Sequence, residues 1–508
     1  MKKKPFIALS LLLLSSCSFS FFNSSKTSSG GESASQSTVP YVPGDSTFEI
    51  LPETDAIKEF FSLDSTLSFA FTFSKESLAA LSEYGDRDNK KWGDVYFPAD
   101  LTITLNGQSS FFQEVGVRMK GNFSRDAIMD GDTIAKFCHF KVSFKATFDS
   151  EMYSLSQFAQ FKHDWSLDAN GKKERKDRSF HGLEKLDLKY IPRNENGCYA
   201  QEVYVYRSFR EQGILAPHAT FCSVDLTNGI SSLNGYFEAI ETIDKDFLKR
   251  NLGKTLAQGD LYKCTYGPMG KANLTRDGAV TKTSDSDGLT NGTRVMNGKI
   301  GVRDRYNQYF PVYDLKTNDD LGEASDFSSM VNFINAMWNI RYRKQSQQLL
   351  ENTLDVDEFL RFEAISYLFG NFDDQRNNAN NYYMYFFPDT KKAIYIPYDW
   401  DWCLGWDGDR NLANYKPYRT TDMTGSAIDN NVYYNTILPD SNAHSYSIDG
   451  YKAKYDSYIK AFVEAGLLDY ANYESVASKM PLDSIPEESV VKAYMTAKKA
   501  TIASYYGD

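Results

Sequence analysis

The chain has 508 residues, enough to bury a large core and to form more than one packed unit, which excludes a peptide or a mini-scaffold. Lys and Arg number 56 against 67 Asp and Glu, a formal net charge of −11, and no basic stretch is long enough to follow a phosphate backbone, so nucleic acid is not an expected partner. Hydrophobic residues make up 42% and aromatic ones 15%, a balance that rules out disorder over most of the length.

The first residues carry three lysines, a nine-residue apolar run from Phe6 to Leu14, and the ending Leu14-Ser15-Ser16-Cys17, which reads as a secretory signal. At about 1.5 Å per helical residue the run is too short to cross about 30 Å of hydrocarbon. Its ending resembles the bacterial lipobox, in which cleavage precedes the cysteine. The expectation is a lipoprotein signal peptide at 1–16 and a mature chain that starts at a lipid-bearing Cys17. That lipid would hold the protein on the extracytoplasmic side of the bacterial cell membrane. Loss of Lys2, Lys3 and Lys4 changes the charge count to 53 against 67, or −14. Residues 17–45, rich in Ser, Thr and Gly, read as a tether too polar to pack.

From Thr47 to about Asp246 short β-like runs dominate (LSFAFTF, LTITL, FKVSFKATF, ATFCSVDL, GYFEAIET), with one helical stretch from about Tyr199 to Gln212, ended by Gly213. Residues from about Lys254 to Val312, rich in Gly, Asn, Asp and Thr, suggest an irregular insertion. Helices are expected from Phe327 to Leu350 and from Asp357 to Phe369. In the second, Asp355 followed by Glu358 forms an acidic capping signal, and Leu360, Ala364 and Leu368 recur every four residues, so that helix should be buried. Gly370 ends it. The polar loop Asn371-Phe372-Asp373-Asp374-Gln375-Arg376-Asn377-Asn378-Ala379-Asn380-Asn381 follows, then a hairpin (YYMYFF and AIYIPY) that leads into Asp399-Trp400-Asp401. The tail from about Gly450 to Tyr506 is helical and amphipathic.

Several chemistries lack their motifs. There is no G-x-G, no G-x-S-x-G and no C-x-x-C. The five His include no close pair, and the Cys beyond Cys17 read as buried thiols with at most two bridges. Asp373 and Asn378, by contrast, stand at D-x-x-x-x-N spacing, by which a kinase catalytic loop positions a hydroxyl with its Asp and a metal with its Asn. The hairpin then delivers Asp399 and Asp401, hard oxygen donors suited to Mg²⁺ or Mn²⁺. Capping and turn formation are the competing explanation of the same residues. Cations for phosphate are sought in Arg118 and Lys120 of GVRMKGNFS and in Lys141 and Lys145 of KVSFK. Glu202, on the helix near Tyr199, is a candidate partner for such a strand lysine.

Taken together, GVRMKGNFS (116–124), SFKATFD (143–149), FHGLEKLDLK (180–189), EVYVYRSFREQGILAP (202–217), GYFEAIETIDKDFL (235–248), DLYK (260–263), GNFDDQRNNANNYYMY (370–385) and IPYDWDWCLG (396–405) resemble the CotH protein kinase family. The resemblance implies an α+β, atypical protein-kinase-like fold of two lobes, with a sheet-rich N-lobe at 46–246, a helical C-lobe at 247–450 and a C-terminal helical extension at 451–508. It also implies transfer of the ATP γ-phosphate, with Mg²⁺ or Mn²⁺, to Ser or Thr of secreted or surface proteins. Asp373 would then be the catalytic carboxylate, with Asp374 beside it as the alternative. Asp399 and Asp401 would hold metal, completed by Asn378 or Asn381, and Lys145 or Lys141 would hold phosphates. Two readings compete: a non-catalytic surface lipoprotein that stacks glycan or protein on its aromatic residues, and a nucleotide-binding protein without turnover.

Overall fold

The computed structural model describes residues 39–121, 124–191, 199–265, 271–274, 289–290, 294–295, 311–343, 347–405, 412–418, 431–437 and 449–507. Cys17, the signal segment and most of the 254–312 insertion lie outside the described residues. Seven runs in the first half alternate apolar and polar residues. They form strands β1 (Leu67–Thr72), β2 (Phe97–Leu105), β3 (Gln108–Lys120), β4 (His139–Ser143), β5 (Lys185–Ile191), β6 (Ala219–Thr227) and β7 (Ser232–Glu241). Instead of an open sheet they make a closed barrel in the order β1-β2-β3-β4-β5-β7-β6, sealed by the parallel pairing of β1 with β6.

Alternation along each strand fills the barrel with Phe71, Ile103, Val117, Phe140, Leu188 and Phe237. The opposite face of β3, β4 and β5 carries Arg118, Lys120, Lys141, Asp187 and Lys189. Arg118 lies opposite Lys141, and Lys141 opposite Asp187, so the three form one row across the strands. Arg118 and Lys141 are like charges across this row, and Asp187, 3.3 Å from Lys141, is the carboxylate that offsets them.

The second half contains its own antiparallel sheet in the order β9-β8-β10-β11, built from β8 (Asp260–Cys264), β9 (Tyr313–Leu315), β10 (Tyr382–Phe386) and β11 (Ala393–Pro397). Around it lie α1 (Gln201–Glu211), α2 (Lys245–Leu256), α3 (Ser328–Arg343) and α4 (Val356–Phe369). The helix expected from Phe327 to Leu350 is two helices: α3 ends at Arg343, and a separate short one spans Gln347–Thr353. Every residue of α4 is buried, as its apolar pattern requires. The Asp355 carboxylate accepts the Glu358 N–H at 3.1 Å, and Gly370 ends the helix at φ +62°, where a Cβ would lie 2.1 Å from the Tyr494 hydroxyl oxygen.

The expected C-terminal extension consists of α5 (Asp449–Glu464), α6 (Tyr470–Ala477) and α7 (Glu488–Tyr506). Its Tyr455, Ile459, Phe462 and Tyr494 belong to the same apolar core as α1 and α4. Among the described residues no helix is long and apolar enough to cross a membrane. The four described cysteines, Cys138, Cys222, Cys264 and Cys403, are buried free thiols.

The tether packs earlier than its expected boundary at 45, because the apolar Val39 and Val42 give the chain something to bury. Val39 is 5% exposed. From there to Glu53 the chain forms a strap across the helical half. Val42 N–H bonds the Gln212 side chain at 2.8 Å, Thr47 N–H and hydroxyl bond the Asp355 carboxylate at 2.7 Å, and Leu51 N–H bonds the Asn251 carbonyl at 2.8 Å.

Candidate active site

Three elements converge on one lysine. Strand β5 presents Lys189, helix α1 presents Glu202, and the chain leaving β11 presents Asp399 and Asp401. The Lys189 ammonium lies 2.5 Å from Glu202 Oε2, bonds Asp399 Oδ1, and lies 3.7 Å from Asp401 Oδ2. Lys189 and Glu202 are almost fully buried, whereas the Asp399 side chain keeps 25% exposure to solvent.

Glu202 is committed beyond this pair. Its Oε1 accepts the Tyr206 hydroxyl at 2.8 Å and the Trp400 N–H at 3.1 Å, while the Tyr206 oxygen accepts the Asp399 N–H at 2.8 Å. Helix α1 thereby fixes the backbone of the D-x-D loop, and Asp399 is held at φ +60°.

The sequence pointed to Lys141 or Lys145 as the strand lysine for Glu202, and the structure corrects this to Lys189. Lys145 is used 2.7 Å from Glu184, and Lys141 lies 3.3 Å from Asp187. Arg118 bonds Asp94 at 3.0 Å and the Gly93 carbonyl at 3.1 Å, which ties it to the loop before β2 and away from a phosphate role. Lys120 bonds Asp187 at 2.8 Å and lies 5.1 Å from the centre of the Tyr398 ring, next to Asp399 in the chain. The missed signal was the alternation K-L-D-L-K at 185–189. It puts Lys185, Asp187 and Lys189 on one face and Leu186 and Leu188 in the barrel.

Burial raises the Asp187 carboxyl, but Lys120, Lys141 and Arg118 outweigh it and hold the group well below the usual range. Burial pushes the Lys141 ammonium down to about 7; Asp187 opposes this, and Arg118 and Lys120 add to it. Between pH 7 and the ordinary value of 10.5 the unfolded chain therefore holds a proton that the folded chain has lost at Lys141, so this residue makes stability rise with pH in that window. In Lys141→Met that contribution is expected to vanish. Denaturant unfolding at pH 7 and pH 10 measures it, and the same pH slope in both proteins would contradict the assignment.

The loop after α4 separates the two adjacent aspartates by role. Asp373 points its carboxylate into a ring of amides: Asn378 Nδ2 donates at 2.6 Å, Asn381 Nδ2 at 2.9 Å, and Asn380 Nδ2 reaches both oxygens at 3.2 Å. Burial pushes this carboxyl up to about 6; the Asn378 and Asn380 amides work against that rise and the Asp399 charge adds to it. Asp374 is fully buried, and its Oδ1 accepts the N–H groups of Arg376 at 3.1 Å and Asn377 at 2.7 Å, so it shapes the loop. Asn371, which the sequence reading left without a role, joins the two loops. Its Oδ1 accepts the Asp373 N–H at 2.9 Å and its Nδ2 donates to the Asp399 carbonyl at 3.4 Å.

The donor set suits a hard divalent cation. One oxygen each of Glu202, Asp399 and Asp401 lies within 4.8 Å of the others, with no sulfur or imidazole among them. Both oxygens of Glu202 are bonded, Oε2 by Lys189 and Oε1 by Tyr206 and Trp400, so Asp399 and Asp401 are the carboxylates that would hold such a metal. Asn378 and Asn381 turn their amide nitrogens to Asp373, which leaves their carbonyl oxygens as further donors.

A strand lysine locked to a helix glutamate, beside a D-x-D loop and a carboxylate in an asparagine-rich loop, is the constellation of a kinase-like protein. The chain belongs to the CotH kinase family: the family model described as CotH kinase protein matches residues 153–476, more than half of the chain. A comparison with curated proteins found no match. Among solved structures the chain is similar to a Helicobacter pylori proinflammatory kinase, CtkA, at 12% identity and a TM-score of 0.31, over 63% of this chain and 88% of that one.

Proposed function

We propose that this protein transfers the γ-phosphate of ATP to a Ser or Thr hydroxyl of a secreted or surface protein. The observation that carries the reading is the Lys189–Glu202–Asp399 cluster, joined through Asn371 to the amide-ringed Asp373. Lys189 would bind triphosphate oxygens and Asp373 would orient the acceptor hydroxyl, so that positioning and charge neutralisation supply most of the rate. Mg²⁺ or Mn²⁺ held by Asp399 and Asp401, with Asn378 or Asn381, would neutralise charge on the triphosphate.

The test is incorporation of labelled γ-phosphate into the protein itself and into a generic acceptor. Transfer is expected with Mg²⁺ or Mn²⁺, to disappear with a chelator, and to disappear in Asp399→Ala while the thermal midpoint stays close to that of the parent. Undiminished transfer by Asp399→Ala would refute the role of that residue. ATP-dependent thermal stabilisation without any transfer would leave a nucleotide-binding protein in place of a kinase.

We also propose that Cys17 carries the lipid that holds the chain on the extracytoplasmic side of the membrane, on the strength of the Leu14-Ser15-Ser16-Cys17 ending. A fatty-acid label should enter the wild-type protein and be absent from Cys17→Ser. Label that persists in that variant would overturn the assignment.

A further inference from the structure

Lys263 differs from the lysines near it. Lys120, Lys141, Lys145, Lys185 and Lys189 each lie within reach of a carboxylate. Lys263, half-buried on β8, has no carboxylate within 4.0 Å among the described residues. Its cross-strand neighbour Asp314 is engaged by Lys316 at 2.5 Å. The Lys263 ammonium donates instead to the Tyr398 hydroxyl oxygen at 3.2 Å and lies 4.4 Å from the centre of that ring. Lys120 approaches the same ring at 5.1 Å, so Tyr398 sits between a cation from the barrel and a cation from the second sheet. A phenol that already accepts one hydrogen bond still has its own proton to donate, and among the described residues nothing receives it. A half-buried ammonium without a counter-ion and an uncommitted O–H thus stand together, one residue before Asp399. Both are donors suited to a phosphate oxygen.

We propose that Lys263 and Tyr398 form an anion seat that binds the nucleotide's phosphates beside Asp399. The proposal rests on the kinase reading for the identity of the nucleotide, but the seat itself is tested without it. Affinities of the full chain for Mg²⁺-ATP, inorganic tripolyphosphate and adenosine would be measured for the wild type, Lys263→Met, Lys263→Arg and Tyr398→Phe. Loss of Lys263 should weaken ATP and tripolyphosphate by about tenfold or more, the size expected of one charge-assisted hydrogen bond. Arginine should largely restore binding, Tyr398→Phe should cost less, and adenosine should bind equally to all four proteins. Wild-type affinity for tripolyphosphate in both Lys263→Met and Tyr398→Phe would overturn the seat, as would wild-type protein that does not bind tripolyphosphate. Because Tyr398→Phe keeps the ring in place, the test stands even if Lys263→Met folds poorly. Lys263-dependent binding without phosphate transfer would overturn the kinase reading and leave the seat. Phosphate transfer unimpaired by Lys263→Met, with tripolyphosphate bound as tightly as by the wild type, would do the reverse.

Discussion

Asp373→Asn is expected to lower the rate of phosphate transfer by about a thousandfold, with little change in the KM for ATP. The Asp373 carboxylate meets the amide nitrogens of Asn378, Asn380 and Asn381, an arrangement that suits an acceptor with no proton of its own. An asparagine there would turn its own amide N–H against three other donors or rotate away, and either result removes the oxygen that, on the proposed mechanism, would orient the acceptor hydroxyl. Asp374→Asn provides the contrast. Its carboxylate accepts the N–H groups of Arg376 and Asn377, so the expected damage is to stability, by about 1–3 kcal/mol, with the loss of activity following from the loss of fold. Steady-state kinetics with a parallel unfolding curve separates the two. If Asp374→Asn loses turnover while fully folded and Asp373→Asn does not, the roles are exchanged.

Lys189→Met should damage both fold and function. It removes an ammonium that meets Glu202, Asp399 and Asp401, leaving three carboxylates crowded together without that shared cation. Breaking a buried pair from one side costs about 3–5 kcal/mol. The double variant Lys189→Met/Glu202→Gln should recover part of that stability and none of the activity, because it removes the most buried of the three carboxylates left without their cation and restores no group for phosphate. Lys145→Met should do neither harm, since its pair with Glu184 is about a third exposed on both sides and worth about 1 kcal/mol or less. Denaturant midpoints and transfer rates for these three proteins decide the matter. A Lys189→Met protein that transfers phosphate at the parent rate would remove Lys189 from the mechanism.

Local features were the most legible in the sequence. The capping signal at Asp355, the four-residue repeat Leu360–Ala364–Leu368 and the stop at Gly370 specify α4 almost residue by residue, because each acts within one or two turns of chain. The hairpin that delivers Asp399 and the loop that carries Asp373 were readable for the same reason. Closure of the barrel was not, since it depends on the parallel pairing of β1 with β6, whose strands lie about 150 residues apart and carry no sign of each other. The lysine of the site was missed by a related route. Lys141, Lys145 and Lys189 all sit in or beside strands, and only the order of strands around the barrel decides which one meets Glu202. Asp373 and Asp374 could not be told apart either, because the choice depends on which backbone N–H groups curl back onto which carboxylate.

The strap from Val39 to Glu53 gives the molecule a mechanical polarity. Gln212, just past the end of α1, holds it from both sides, accepting the Val42 N–H at 2.8 Å and donating to the Pro40 carbonyl at 3.0 Å. Glu202 lies ten residues back along the same helix, about 15 Å at 1.5 Å per residue. A pull on the chain ahead of Val39 would therefore load one end of the helix whose other end holds Lys189, so that tension on the strap and the position of that lysine are linked through one element.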